Sequence, residues 1–525
     1  MPRRTSLVAR STARCCRWCR SPRASPWPAS RSRAWRLPGI AAAGLLLPRA
    51  PSRPKHRFFL DHLWAGLLAP QQASPFFWLS ERVSRQGGDQ KEIGMRIRWI
   101  LWMLLIAALA SLTAGKANAV TTTVGGGTFD VGSLLGADRY YTHTTAITGQ
   151  NTISTNLEAG FFWNGHETLQ HVATNTTNFV ADASSWRGAS ISDKYDRHAT
   201  WAAMLIGGRA TVGGDAVKQQ GIAYGTDLRS AAIASSWTPP AYALGFSFTL
   251  DSFLTPHEQS FGVADVVSSS YGYDDASGTD ELSVVMDAYC FQNPTTTYVA
   301  SAGNSGPGSN TVGSPGSDYN AITVAALSAA NTYDTVAAFS SRSPQDFGYV
   351  PSGGAAVITT GVRAAVDIAA PGKSLVSAFY GGQNGGNNAF LAGSTDDGSD
   401  PNAYTLGIEG TSFSAPLVAG GAALVASAAK TLPELSGNPA ARESVVVKAL
   451  LLNGADKTAG WDNGQQSVTV GSDTYLRTTQ SLDWAAGTGR MNLDATFDLQ
   501  LGGQIDVAGT GTGDLGDVVK TGWDY

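Results

Sequence analysis

Four short runs in the 525-residue chain carry side chains that could do acyl-transfer chemistry together. Ser412 stands in Gly410-Thr411-Ser412-Phe413-Ser414-Ala415-Pro416, directly before a small-residue run that reaches Lys430. Gly410 lets the backbone turn sharply. Pro416 suits a first helical turn, where its missing N–H costs nothing. A serine at such a start gains from nearby backbone donors and the helix dipole, although a plain helix cap would use the same residues. His198 opens a second small-residue stretch that ends at Gly207-Gly208. Asn304 sits between glycines in Val299-Ala300-Ser301-Ala302-Gly303-Asn304-Ser305-Gly306. Glu158 follows the strand-like run 153–157 and precedes Ala159-Gly160. Alone, His198 reads as structural and Asn304 as a turn residue. Together they supply a nucleophile, a general base, an amide donor for a developing oxyanion and a carboxylate to orient the imidazole.

These residues need a scaffold that brings distant segments to one edge. Between residues 152 and 430, short apolar runs alternate with longer amphipathic ones. Runs 263–267, 297–302 and 321–327 read as buried strands ending in Gly or Ser, and 222–233 as a further apolar run. Residues 281–291, 412–430 and 441–452 read as helices. Such alternation predicts an α/β fold with a mainly parallel central sheet flanked by helices. Functional residues of such sheets gather at the carboxyl ends of strands, which is where the four runs fall. The segment 381–404 is a polar Gly/Asn/Asp-rich loop that could hang over Ser412. Residues 461–525 read as short polar strands and turns, a β-rich tail. We find no internal repeat.

The net charge of −4 hides two unlike parts. Residues 1–119 hold 20 of the 37 basic and 4 of the 41 acidic residues, leaving 17 basic and 37 acidic in the rest. That acidic body argues against nucleic-acid or anionic-membrane partners. Cys15, Cys16 and Cys19 belong to the front part, and Cys290, beside an apolar helix face, reads as a small buried residue. One cysteine cannot close an intrachain disulfide, so the body must be held by its core. Met95-Arg96-Ile97-Arg98, an apolar run 99–112 and Ala117-Asn118-Ala119 form a secretory signal pattern cleaved after Ala119. The apolar run is short for a membrane span. The expected organisation is a non-native or disordered basic extension (1–94), a signal peptide (95–119), a Thr/Gly-rich lead-in (120–150), a catalytic domain (151–460) and the tail.

In this order, the motifs resemble the subtilisin-like serine peptidases, the subtilase or S8 family. The serine run matches the family's Gly-Thr-Ser-x-x-x-Pro box, and Ala302-Gly303-Asn304 matches its oxyanion box. His198 opens its His-Gly-Thr box, with Ala199 in place of Gly. Residues 264–272, 221–228, 339–341 and 366–372 sit where further family segments would. The resemblance spans about residues 152–452. It implies a three-layer sandwich, Ser412 as nucleophile, His198 as base, and Asn304 with the Ser412 N–H as oxyanion donors. Ser270, Tyr271 and Gly272 would pair with an extended substrate, with Ala302 and Gly303 beside the P1 side chain. The family's acid is an Asp followed by Ser/Thr-Gly, and no such run precedes His198. Glu158 holds that place, one methylene longer or roughly 1.5 Å, with Asp193, Asp196 and Glu167 as competitors. The sedolisins, which use Glu, lack this His and place Asp at the Asn304 position. A Gly-x-Ser-x-Gly esterase elbow is absent. His166 and His171 lack an i, i+4 spacing, so no metal is expected there. The expected protein is a secreted, monomeric serine endopeptidase acting on protein or peptide substrates. No cofactor is required for its chemistry; structural calcium is implied by the family, without nameable ligands. The alternative is a secreted, inactive binding protein on the same fold.

Overall fold

The computed structural model describes residues 121–124, 127–172, 179–181, 195–209, 220–233, 236–238, 241–243, 250–349, 351–352, 354–355, 357–381, 400–504 and 522–523. The basic extension, the signal pattern, Asp193, most of the 381–404 loop and most of the stretch after 504 lie outside the described residues.

Seven strands form the central sheet: β1 (Ile153–Glu158), β2 (Phe179–Ala181), β3 (Asp227–Ala232), β4 (Val266–Ser269), β5 (Thr297–Ser301), β6 (Ile322–Leu327) and β7 (Ile368–Pro371). Their order is β7-β6-β5-β4-β1-β3-β2, and every neighbouring pair is parallel. A parallel sheet must be covered on both faces. Accordingly β4 to β7 are buried throughout. The covering helices are α1 (Arg197–Gly207), α2 (Leu250–Phe261), α3 (Glu281–Gln292), α4 (Thr411–Thr431), α5 (Ser444–Gly454) and α6 (Leu493–Leu501).

Strand alternation divides the interior into two cores. Val299 of β5 packs with Ala203 of α1, Leu417 of α4 and Val446 of α5. Its neighbours Tyr298 and Ala300 face the other way, towards Phe261 of α2 and Leu282, Met286 and Cys290 of α3. The result is an α/β fold with a parallel sheet, as the alternation predicted, in the helix–sheet–helix sandwich that the resemblance implied. Cys290 is a buried member of the second core, and burial pushes its thiol pKa up, away from thiolate reactivity.

Helix α4 is apolar and 21 residues long, enough by length to cross a membrane, but it is wholly buried. Its small residues let neighbouring segments come close. A Cβ on Gly420 would lie 2.6 Å from Ile222 Cβ, and one on Gly421 would lie 2.7 Å from Met491 Sδ. The turn 222–225 fills that gap, so within the apolar run 222–233 the strand spans only Asp227–Ala232.

Three further details differ from expectation. Helix α4 starts at Thr411, which puts Pro416 in its second turn rather than its first. The tail is not uniformly β: after the hairpin Gln465–Val470 and Asp473–Thr478 comes α6. Asn492 caps that helix, and its apolar face is short enough to be missed by periodicity. The lead-in and tail also join the main core. Tyr140 meets Phe497 edge-on at 4.6 Å, Arg139 pairs with Asp498 at 2.9 Å, and Gln500 Nε2 donates to the Val425 carbonyl at 2.8 Å. Strands Thr121–Val124, Gly127–Asp130, Leu375–Ala378 and Tyr404–Ile408 form a separate antiparallel sheet, the last leading into Gly410.

Candidate active site

The four runs converge where β1, β4 and β5 end. Glu158 is the last residue of β1 and is 2% exposed. His198 is the second residue of α1, and its Nδ1 lies 3.0 Å from Glu158 Oε2. An ionised carboxylate can only accept, so Nδ1 carries the proton and Nε2 is left as the base. Burial is the largest influence on the imidazole and lowers its pKa. The charge of Glu158, its hydrogen bond and the charge of Asp196 together outweigh burial, and the pKa ends above 6.5.

The other candidate acids among the described residues have different partners. Asp196 is the N-cap of α1, accepting from the His198 backbone N–H at 2.9 Å. Glu167 accepts from the Tyr404 hydroxyl at 2.6 Å. His166 is buried between Thr168 and the Ala403 carbonyl, and burial lowers its pKa to about 4. It is a neutral packing residue.

Gly410 holds φ 150°, ψ 153°, a region that is essentially glycine's alone, and turns the chain into α4. Ser412 follows, 7% exposed, in the first turn, where backbone N–H groups lack intrahelical partners. Pro416 has no N–H to give the Ser412 carbonyl four residues back. That carbonyl instead accepts from Ser270 Oγ at 3.0 Å. In return Ser412 Oγ donates to the Ser270 carbonyl at 3.3 Å, a long and weak bond. No hydrogen bond joins Ser412 Oγ to His198 among the described residues. The His198 ring lies 5.5 Å from that of Phe413, so the imidazole sits over the residue next to the serine. Catalytic hydrogen bonds often tighten only when substrate arrives.

The Asn304 amide is oriented from behind. Its Oδ1 accepts from the Thr411 N–H and the Thr411 hydroxyl, both at 3.0 Å. Of the amide's two ends only the oxygen can accept a backbone N–H, so the NH₂ end faces away from the Thr411 N–H; a Cβ on Gly410 would lie 3.7 Å from it. Thr411 Oγ1 also accepts from the Gly303 N–H at 3.2 Å, tying both segments together. Nothing in the sequence marks Thr411 for this role beyond its place directly before Ser412. Gly303 has φ +102°, and a Cβ there would lie 2.9 Å from Ser341 Oγ.

A cleft of about 180 Å³ opens between these parts, lined among others by Ser270, Gly272, Gly303, Asn304, Gly313 and Ser412. Tyr271 and Ala302 also line it. Gly272 is required by close approach, since a Cβ would lie 2.5 Å from the Ser314 carbonyl oxygen. Tyr271 is held from behind by a hydrogen bond between its hydroxyl and His257 Nε2. Seven of the nine residues expected at the site line this cleft; Glu158 and His198 form their own pair and are not among its lining residues.

The chain matches the subtilase family model, Peptidase_S8, over residues 138–471. It belongs to the subtilase family. Over 160 residues it is 34% identical to the serine protease AprX of Bacillus subtilis (strain 168). That alignment covers 30% of this chain and 29% of the relative, so it spans less than a third of either.

Proposed function

We propose that this subtilase is a secreted serine endopeptidase that cleaves peptide bonds through an acyl-enzyme, with Ser412, His198 and Glu158 as its triad. Ser412 Oγ attacks the scissile carbonyl while His198 Nε2 takes its proton, later returning it to the leaving amine. Glu158 holds the tautomer and stabilises the imidazolium. Asn304 Nδ2 and the Ser412 N–H receive the oxyanion. Water then releases the acyl group by the same proton path. The observation that carries this reading is the 3.0 Å contact between His198 Nδ1 and a buried Glu158. That is the carboxylate–imidazole half of such a triad.

Labelling of the full chain by a fluorophosphonate, with Ser412→Ala as control, tests the nucleophile. Cleavage of a peptide library tests the reaction. Labelling and cleavage that both vanish in the control are expected. A folded protein that neither labels nor cleaves would be the non-catalytic, binding form of the fold. The bond from Ser412 Oγ to Ser270 rather than to His198 is what favours that second reading.

Secretion rests on the signal pattern at 95–119, and N-terminal sequencing of exported protein should begin at Val120. The reaction as drawn uses side chains and water alone, with protein or peptide as substrate and the chain acting as a monomer.

A further inference from the structure

We infer that Asn156 is a positioning residue that sets the reach between Glu158 and His198; this rests on the Ser-His-Glu reading above. Alternate residues of a strand share a face, so Asn156 and Glu158 both point from β1 towards α1, while Leu157 points into the opposite core. Asn156 Nδ2 donates to the Ala199 carbonyl at 2.9 Å, and His198 Nδ1 donates to Glu158 Oε2 at 3.0 Å. Two same-face residues of the strand therefore hold two consecutive residues of the helix. The first tether fixes how far α1 stands from β1 and how it is rotated. The second is the catalytic contact.

Glu158 needs such a reference more than a shorter acid would. Its side chain has an extra rotatable bond, and its Oε1 is buried with no hydrogen-bond partner among the described residues. The carboxylate is held by His198 and not by bonds of its own. Its alignment must then come from the spacing of strand and helix. Asn156 is itself fully buried, and its Oδ1 has no partner among the described residues. Burying a half-satisfied amide is unfavourable where an apolar side chain could pack. What the amide supplies, and Leu of similar shape could not, is the fixed bond to Ala199. Without it, α1 can settle or turn by a fraction of an ångström, out of register with a Glu-length acid.

The test is a double-mutant cycle on the full chain with Asn156→Leu, Glu158→Asp and both together. Two readouts are used: kcat and KM per fluorophosphonate-titrated site, and the His198 imidazole titration followed by NMR. Asn156→Leu should lower kcat about tenfold with KM unchanged, and Glu158→Asp should lower it about 100-fold, as sub-ångström to ångström misplacement does. In the double variant the Asp change should cost well under its single-variant factor, because the spacing it violates is already released. Asn156→Leu should also move the His198 pKa down towards 6.5. If the Leu variant does not fold, Asn156→Ala takes its place. Multiplicative losses, or an unchanged His198 titration with activity reduced only in proportion to titrated sites, would overturn the inference. If the wild type neither labels nor cleaves but Asn156→Leu still moves the His198 titration, the peptidase reading fails and the tether stands.

Discussion

Replacing Glu158 by Gln keeps the shape of the side chain and removes its charge. In the transition state His198 becomes an imidazolium, and the lost partner is a carboxylate 3.0 Å from Nδ1 and 2% exposed. With charge centres about 4 Å apart and an effective dielectric of about 20, the interaction is about 4 kcal/mol. That corresponds to roughly three decades in rate. An amide can also present its NH₂ to Nδ1 and favour the wrong tautomer, which in a Ser-His-Asp template costs about 10⁴ in kcat. We therefore expect Glu158→Gln to lower kcat by about 10³–10⁴ with little change in KM, since no substrate contact is lost. The pH profile supplies a second reading. In the proposed reaction neutral His198 is the active form, and its pKa lies above 6.5, so wild-type kcat/KM should fall on the acid side with a midpoint above 6.5. In the Gln variant the Glu158 contribution is gone, and the midpoint of any residual activity should move to lower pH. The assays are steady-state hydrolysis of a chromogenic peptide from pH 5 to 9, with sites counted by fluorophosphonate. Near-wild-type kcat in Glu158→Gln, combined with a collapse in Asp196→Asn, would refute the assignment. Asn can still cap α1 as Asp196 does, so that control should remain active.

Asn304→Leu removes an oxyanion donor and should lower kcat by about 10²–10³ while leaving KM near wild type, measured by the same kinetics. Thr411→Val removes the hydroxyl between Asn304 Oδ1 and the Gly303 N–H, and should lower kcat in the same direction but by less. Gly272→Ala drives a Cβ to 2.5 Å from the Ser314 oxygen, so about 1–3 kcal/mol of stability should be lost, visible as a lower Tm. His166 titrates near 4 when folded against 6.5 ordinarily, so its neutral form stabilises the fold fully above about 6.5. That contribution, at most about 3 kcal/mol, is lost as pH falls from 6.5 towards 4, and urea unfolding of His166→Gln should show a shallower pH dependence there.

Much of the site was legible because its chemistry is concentrated in short runs. Gly410-Thr411-Ser412 and Ala302-Gly303-Asn304 combine a reactive or donor side chain with the glycine its backbone geometry needs. Strand–helix alternation was legible for a similar reason: β5 and β6 are buried on both faces and so carry apolar-rich runs, whereas the run expected at 263–267 met β4 only at Val266 and Val267, because β4 ends in two buried serines. Helix α6 was not, since only four of its residues are buried and polar neighbours blur its period. The joining of lead-in to tail through Tyr140 and Phe497 was equally hidden, because those residues are far apart in the chain and neither implies the other.

The sequence by itself singled out Ser412, His198 and Asn304 as candidates for nucleophile, base and oxyanion amide, and it determined the α/β scaffold, since each reading depends on residue types in local order. It left the acid open among Glu158, Asp193, Asp196 and Glu167. Tertiary structure decided which of the described carboxylates meets the His198 ring: Asp196, nearest in sequence, turns to cap α1, and Glu158, 40 residues away, crosses from β1. It also decided what the Ser412 carbonyl does once Pro416 cannot bond it, namely accept from Ser270. Both depend on the packing of α1 and α4 against the sheet, where distances of a few ångströms separate a carboxylate–imidazole contact from a cap. No local pattern of residues encodes distances of that kind.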